Sequence, residues 1–279
     1  MAEPAPTEHE LPRPATVGNR PGPTTRARLL AGDGPGDPAW NLALDEAIAR
    51  SAGPHPTVRL WRNDRAVIVG RFQLAAAEVD LGLARAARIP VLRRFTGGGA
   101  VYHEPGNLNV SLVLARREPP LRERPDLVGL PAVYALLLAP LATAVERLGL
   151  AVERTERDLL VEGRKVSGVA AWLGRDQVLV HGTLLVSADL ELLQRILDGP
   201  GAPGDPRWER TRSRRMPVTS LARALGRTPE PSAVTGAVAE AFAVAYRLEL
   251  EPTRPSSDEL TRATELLAAR YRQPTWHAD

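Results

Sequence analysis

One lysine stands in this chain of 279 residues: 35 of its 36 basic side chains are arginine, and the other is Lys165. A sequence that drifts this far toward arginine loses lysine wherever a planar, permanently charged fork serves. It resists the exchange where a compact, flexible ammonium is needed. Lys165 lies in Asp158-Leu159-Leu160-Val161-Glu162-Gly163-Arg164-Lys165-Val166-Ser167-Gly168, just after an expected hairpin turn. Strand alternation would place Lys165 and Ser167 on one face. If that face lines a pocket, Asp158 holds a divalent cation while the ammonium meets a negatively charged reacting group. The plainer alternative is that Asp158 is a surface carboxylate opening a strand and Lys165 a chance survivor of codon drift.

Two further segments carry chemistry. In Arg93-Arg94-Phe95-Thr96-Gly97-Gly98-Gly99-Ala100-Val101-Tyr102-His103 a strand runs into three glycines. Consecutive glycines cost backbone entropy and suit a close approach of ligand to main chain, whose amides cradle phosphate or carboxylate. The paired arginines at the entrance agree with an anion there, although surface turns also use glycines and the Lys-Ser/Thr ending of a phosphate-binding loop is missing. In Leu179-Val180-His181-Gly182-Thr183-Leu184-Leu185 a glycine interrupts an apolar strand, which signals a bulge or a close backbone contact. His103 and His181 each read equally well as satisfied core histidines.

Taken together the segments resemble the lipoate–protein ligase family. The likeness rests on Arg93-Arg94-x-Thr96-Gly97-Gly98-Gly99-Ala100-Val101-Tyr102-His103-x-x-Gly106-Asn107-Leu108-Asn109, then Gly163-Arg164-Lys165-Val166-Ser167-Gly168, then His181-Gly182-Thr183-Leu184-Leu185, in that order. Asn41-Leu42-Ala43-Leu44-Asp45-Glu46 and Val69-Gly70-Arg71-Phe72-Gln73 look like its upstream elements. Arg212-Ser213-Arg214-Arg215 with Val218-Thr219-Ser220-Leu221 look like its downstream ones, so the likeness covers roughly residues 28–276.

The resemblance implies a catalytic domain shared with biotin ligases, of α/β class in the α+β manner, with a mixed β-sheet flanked by helices. It implies an enzyme that joins lipoate or octanoate to ATP with Mg²⁺, forming acyl-AMP and pyrophosphate, and then passes the acyl group to a carrier lysine. By motif match Lys165 would lie against the acyl carboxylate and α-phosphate. Arg94, Thr96, the Gly97, Gly98 and Gly99 loop, His103, Ser167 and Gly168 would line the acyl-adenylate pocket. Asp158 would stand near the nucleotide and Mg²⁺, and His181 with Gly182 would support the acyl tunnel. The implied partner is the apo lipoyl domain of a 2-oxoacid dehydrogenase complex or a glycine-cleavage H-type protein. Joining a carboxylate to a triphosphate brings two anions together, so fixed positive groups and a metal are in keeping with this chemistry.

There are departures. Arg157 precedes Asp158 where ligases of the family commonly have Asn, which bears on nucleotide handling. As the sequence stands nothing follows Asp279, so the small C-terminal accessory domain of larger ligases is expected to be supplied by a separate protein or dispensed with. Octanoyl and lipoyl transferases of the family form a thioester on cysteine, and this chain has none. The same absence removes disulfide frameworks, thiolate metal sites and cysteine nucleophiles. The Gly-Arg-Gly-Arg-x-Gly-Arg segment of biotin ligases is also missing. A non-catalytic binder of acyl groups or carrier domains is the alternative, and it predicts no acid-dependent release of pyrophosphate.

These residues need a folded frame, and 43% hydrophobic with 25% charged residues suits one. A Pro-rich tail over 1–25 is expected to be disordered, with the catalytic domain over 26–279. Within it 199–216 reads as a mobile Arg-rich loop, expected to dock an acidic carrier domain, and 217–279 as a helical C-terminal part. Helices are expected at 41–50, 78–87, 131–148, from Asp189, and at 218–225, 232–246 and 257–271. Strands are expected at 58–61 and 66–69 as a hairpin through Asn63-Asp64, and at 89–94, 110–115, 150–154, 158–162, 166–172 and 178–187. Glu3, Glu8 and Glu10 with no early apolar run argue against a secretory signal, and a cytoplasmic location is expected. The uncharged run from Leu127 to Val145 holds Pro131 and Pro140 and reads as a helix entered at a proline, not a membrane span. The formal charge is only +3 and Glu209 interrupts the Arg207–Arg215 cluster, so no nucleic-acid partner is expected.

Overall fold

Asp37 and Pro38 start the first helix as a cap and an amide-free first turn: the Asp37 carboxylate accepts from the amides of Ala39 and Trp40. In the computed structural model, which describes residues 24–32, 36–51, 53, 55–117, 121 and 129–279, that helix follows one strand. In chain order the elements are β1 (Thr25–Ala31), α1 (Pro38–Arg50), β2 (Thr57–Trp61), β3 (Ala66–Val69), α2 (Ala75–Glu78) and α3 (Leu81–Ala86). Then come β4 (Val91–Arg93), β5 (Val101–His103), β6 (Asn107–Ala115), α4 (Leu130–Arg147), β7 (Glu153–Arg154) and β8 (Asp158–Val161). Next are β9 (Arg164–Leu173), β10 (Gln177–Leu185), α5 (Leu190–Ile196), α6 (Pro206–Thr211), α7 (Leu221–Leu225) and α8 (Pro231–Tyr246). The last are β11 (Leu248–Pro252), α9 (Ser257–Leu266), a π-helical turn (Leu267–Tyr271) and α10 (Pro274–His277).

The strands form an eight-stranded sheet in the order β11-β1-β2-β6-β10-β9-β8-β7 and a three-stranded sheet β4-β3-β5. Strand β1 runs parallel to β11 and β2 while the rest of the large sheet is antiparallel, the mixed α+β architecture expected. Alternation along β6 and β10 assigns each face its cover. Leu112, Leu114, Val178 and Val180 pack beneath α4 and α8 with Leu137, Leu141 and Phe242. Val113 and Leu179 face α1. Helix α1 lies between that face and α9, which is why it is buried nearly all round. Among the described residues α4 is the one helix long and apolar enough by length and composition to cross a membrane; half of that stretch is buried in the fold.

Several elements depart from expectation. Strands β2 and β3 are not a hairpin: β2 pairs with β1 and β6, and β3 with β4 and β5 of the other sheet. Asn63, between them, is held by Asn41 and His103 instead of turning the chain back. The helix expected at 78–87 breaks at Val79, and Asp80 caps its second part by accepting from the amide of Leu83. Residues 199–216 carry α6, capped by Asp205. Strand β11 lies within the part expected to be helical. The tail expected over 1–25 falls outside the described residues except for its last two, and Thr25 already pairs with Leu248.

Candidate active site

Five neighbouring strands place one residue each in a continuous row: Trp61, Asn109, Thr183, Gly168 and Asp158 are successive partners across β2, β6, β10, β9 and β8. Paired residues share a face, so the row is a floor about 19 Å long at ~4.8 Å per strand. It lies in a cleft of about 470 Å³, whose walls include Gly98, Gly99 and the segment Arg212 to Met216.

At one end of the row is Lys165. The ladder slips by one residue between Leu159 and Leu160, so Lys165 faces Leu160 while Gly168 faces Asp158. The bulge overturns the expected alternation: Lys165 shares its face with Gly168 and Asp158, and Ser167 turns away. The ammonium lies over Gly168, where a methyl group would sit 2.6 Å from Nζ and 3.2 Å from Oδ1 of Asp158. Lys165 Nζ meets Asp158 Oδ1 at 2.6 Å; the aspartate is buried and the lysine side chain 29% exposed. Strand β10 pairs with β9 only from Ser167 onward. Beside Lys165 its place is taken by Pro217–Thr219: the Lys165 amide donates to Pro217 O and its carbonyl accepts from the Thr219 amide, both at 2.9 Å. Ser167 still borders the cleft, with a buried hydroxyl that has no partner among the described residues.

The glycine segment closes over the same face. A methyl on Gly98 would meet Ala170 Cβ at 3.0 Å, and Ala170 is two residues along β9 from Gly168. Gly98 has φ +87°, which suits glycine, and Gly70 lets the loop descend: a methyl there would fall 2.0 Å from Gly98 O. Arg94 holds the loop from within. Its guanidinium donates to Thr96 Oγ1 and to the carbonyls of Ile68, Gly97 and Gly99 at 2.6–3.2 Å, and among the described residues no carboxylate is its partner. Burial lowers Arg94 to about 10, so it remains cationic at neutral pH. With the carbonyls turned inward to Arg94, the amides of Gly97, Gly98 and Gly99 donate to no acceptor among the described residues. Ala100 N donates to Ser213 Oγ at 2.9 Å, tying the loop to the Arg-rich segment. Gln73 Nε2 donates to Ser213 Oγ and Thr211 O, and Glu78 accepts the Ser213 amide.

The other arginine of the pair does not join the cleft. Arg93 donates to Gly70, Arg71 and Gln73 carbonyls and reaches Asp279 at 3.0 Å, which makes it a brace for the 70–73 turn. Thr96 and Gly97 stand behind the wall rather than in it, and Gly97 shows neither positive φ nor a close neighbour. Gly182 is needed for packing, because a methyl would meet Gly168 O at 2.7 Å and Leu137 Cδ2 at 2.8 Å.

Two polar chains on α1 support the deep part of the cleft. Asp45 accepts from Arg59 Nη1 at 2.9 Å, from Ser111 Oγ and from His181 Nδ1 at 3.0 Å. Burial raises the Asp45 carboxyl, but the His181 hydrogen bond and the Arg59 charge outweigh it and hold it below the usual range. His181 Nε2 meets Thr96 Oγ1 at 2.8 Å, so one chain runs from Arg59 through Asp45, His181 and Thr96 to Arg94. His103 belongs to the second, between Asn63 Nδ2 and Thr183 Oγ1, each at 2.9 Å. Burial, reinforced by Arg94, lowers it to about 3, so it is neutral. His181 and His103 thus combine both expectations: each is satisfied inside the core and each borders the cleft.

Arg94, Arg157, Lys165, Arg212, Arg214 and Arg215 line the cleft against Asp158 and Asp198, an excess of positive charge suited to a polyanion. Arg212, Arg214 and Arg215, expected on a docking loop, therefore stand in the cleft wall. Among the described residues no three His, Cys, Asp or Glu side chains gather as a metal cluster, and Asp158 is the one carboxylate beside Lys165. Asn63, Asn109, Thr183, Gln73 and Ser213 carry parts of this site that sequence reasoning did not single out. Asn109, Thr183, Gln73 and Ser213 lay within the family-like segments, Asn109 and Thr183 two residues from Asn107 and His181, whereas Asn63 read only as a turn residue.

A family model described as lipoyl protein ligase A/B catalytic domain matches residues 37–243. Lipoate-protein ligase A subunit 1 of Thermoplasma acidophilum is 31% identical over 264 residues, covering 90% of this chain and 95% of that protein. An octanoyltransferase LipM of Symbiobacterium thermophilum is 32% identical, covering 91% and 98%. The fold matches a T. acidophilum lipoate protein ligase solved with lipoic acid, with TM-score 0.76, 26% identity and coverage of 91% and 100%. It also matches a lipoate-protein ligase A bound with ATP, with TM-score 0.75, 28% identity and coverage of 90% and 98%. A third match, with TM-score 0.76, 28% identity and coverage of 91% and 96%, is from a bipartite T. acidophilum ligase studied with its E2 lipoyl domain.

Proposed function

Since the chain belongs to the lipoyl protein ligase A/B catalytic-domain family, a family of enzymes, we propose that it is an ATP-dependent lipoate–protein ligase. The observation that carries this reading is Lys165, seated over Gly168 at the end of the row and beside a glycine loop whose amides have no acceptor among the described residues. The acid lies along the row with its carboxylate at Lys165. A carboxylate oxygen attacks the α-phosphorus of ATP, the bond to the β-phosphate oxygen breaks, and pyrophosphate leaves with the negative charge. Lys165 draws the two anions together and stabilises the charge spreading over the α-phosphate oxygens. The amides of Gly98 and Gly99 hold phosphate or acyl oxygens, and Arg157, Arg212, Arg214 and Arg215 neutralise the departing pyrophosphate. The carrier lysine amine then attacks the acyl carbonyl, releasing AMP and forming the amide.

Asp158 has one oxygen on Lys165 and one left, which fits Mg²⁺ held mainly by phosphates and water. Bound there, the ion would screen the phosphate charge. The ATP-bound and lipoate-bound relatives support both substrates, and the bipartite relative supports a lipoyl-domain partner and a separate accessory subunit. The relative named as an octanoyltransferase leaves octanoate as an alternative acid; thioester transfer on cysteine is unavailable to a chain without one. Incubation with lipoate or octanoate, ATP, Mg²⁺ and an apo lipoyl domain, followed by mass spectrometry, tests the reading. A mass gain equal to the acyl group is expected. Acid-dependent pyrophosphate exchange without a gain points to the accessory subunit, and no exchange with either acid refutes the proposal.

A further inference from the structure

Asn109, in the middle of the row, is 2% exposed and its side-chain Nδ2 has no acceptor among the described residues, although the residue lines the cleft. The direction in which this amide points is fixed by a relay that begins at an arginine. Arg59 has only donors, and its Nη2 donates to Asn41 Oδ1. Asn41 therefore presents Nδ2 to Asn63 Oδ1 at 2.9 Å. Asn63 in turn presents Nδ2 to His103 Nδ1, which must accept, so the neutral ring carries its hydrogen on Nε2 and donates it to Thr183 Oγ1. The Thr183 hydroxyl is left to donate to Asn109 Oδ1 at 2.8 Å. Every link is directional, and at the end two N–H bonds of a buried amide remain unused.

A buried donor without an acceptor is costly, and the cost is relieved when a ligand supplies the acceptor. Thr183 separates Asn109 from Gly168, over which the ammonium of Lys165 sits, so the amide lies about two strand spacings, or ~10 Å, from the ammonium. That is too far for one carboxylate to meet both, and it is where the distal part of an acid anchored at Lys165 would lie. Trp61 is next in the row, its indole N–H spent on Ser111, and Leu42 and Ile68 also line the cleft. In the row the amide thus has the Trp61 ring on one side and Thr183, already committed to Asn109 Oδ1, on the other.

We propose that Asn109 is a specificity residue that favours an acid bearing a weak hydrogen-bond acceptor on its distal carbons, the ring sulfur of a dithiolane, over a plain hydrocarbon chain. The inference rests on the ligase reading and names the class of acid within it. Sulfur is a weak acceptor, and a bare methyl or ring methylene supplies none, so hydrocarbon chains leave the amide unpaired.

The decisive experiment changes the ligand before the protein. Calorimetric titration of the intact chain compares lipoate with octanoate and with 5-cyclopentylpentanoate, in which methylenes replace both ring sulfurs. Lipoate is expected to bind about tenfold more tightly than either. In Asn109→Asp, which keeps the acceptor for Thr183 but removes the donor, and in Asn109→Leu, the preference is expected to shrink to within about twofold. Equal binding of lipoate and its carbocyclic analogue by the unaltered chain overturns the inference, as do variants that weaken all three acids in proportion. Acid-dependent pyrophosphate exchange in parallel separates the levels: exchange without preference sinks the inference alone, and no exchange with any acid sinks the ligase reading with it. Should either variant fail to fold, the comparison of ligands on the unaltered chain decides.

Discussion

Replacing Gly168 by alanine adds one methyl group, and the structure says where it goes. It would lie 2.6 Å from Lys165 Nζ, 2.7 Å from Cε and 3.2 Å from Asp158 Oδ1. Ordinary contacts begin near 3.4 Å. The obstacle is the free end of a flexible side chain, so the lysine gives way and the backbone does not. An ammonium displaced by about 1 Å from its working position is expected to lower the rate of acyl-AMP formation by about a hundredfold, or ~2.7 kcal/mol. Folding should not suffer, since Gly168 lacks a positive φ and alanine costs less backbone entropy. Acid-dependent exchange of labelled pyrophosphate into ATP, together with thermal unfolding, separates the two effects. Undiminished exchange, or a fall in Tm of more than about 5 °C, roughly 2–3 kcal/mol for a chain of this size, would refute the argument. Gly182→Ala is the counter-case: its methyl meets a backbone carbonyl and Leu137, so it is expected to cost about 1–3 kcal/mol of stability.

Other perturbations test the supporting parts. Lys165→Arg keeps the charge but not the compact head over Gly168, and exchange should fall at least a hundredfold; normal exchange would remove the assigned role. Arg59→Ala leaves Asp45 and Asn41 buried without their donor and should cost about 3–5 kcal/mol in urea unfolding. His103 is neutral in the fold, with its value lowered from 6.5 to about 3. Below pH 6.5 the unfolded chain takes up a proton that the folded chain refuses, so stability falls with pH by ~1.4 kcal/mol per unit until about pH 3. Urea unfolding at pH 7.5 and 5.0 should show His103→Gln losing about 2 kcal/mol less than the parent over that interval. Ser213→Ala removes the acceptor for Ala100 N and Gln73 and should raise KM for ATP several-fold with little change in Tm; an unchanged KM would count against the cleft-wall role of that segment.

Lys165 was legible because its isolation is a property of composition, and the glycine loop because three adjacent glycines need a reason. The pairing of Lys165 with Gly168 was not, since a one-residue bulge is invisible to an alternating pattern. Nor was the separation of β2 from β3: both strands are short and apolar, and only the partners of Asn63 decide that the chain crosses between sheets. Arg93 and Arg94 are identical in type and adjacent, yet one ends β4 and braces the 70–73 turn while the other, just past the strand, gathers the carbonyls of the glycine loop and shapes the cleft. Asn109 and Thr183 meet across β6 and β10, far apart in sequence, so the row they form exists only once the register is known.

The rung that Pro217–Thr219 adds beside Lys165 has a mechanical consequence. The five residues before it, Arg212 to Met216, line the cleft, so one stretch of chain forms part of the cleft wall and also holds the backbone of Lys165. A displacement of that wall would be carried directly to the two hydrogen bonds that fix the lysine backbone. The shape of the cleft wall and the placement of the ammonium are thereby fixed by the same few residues.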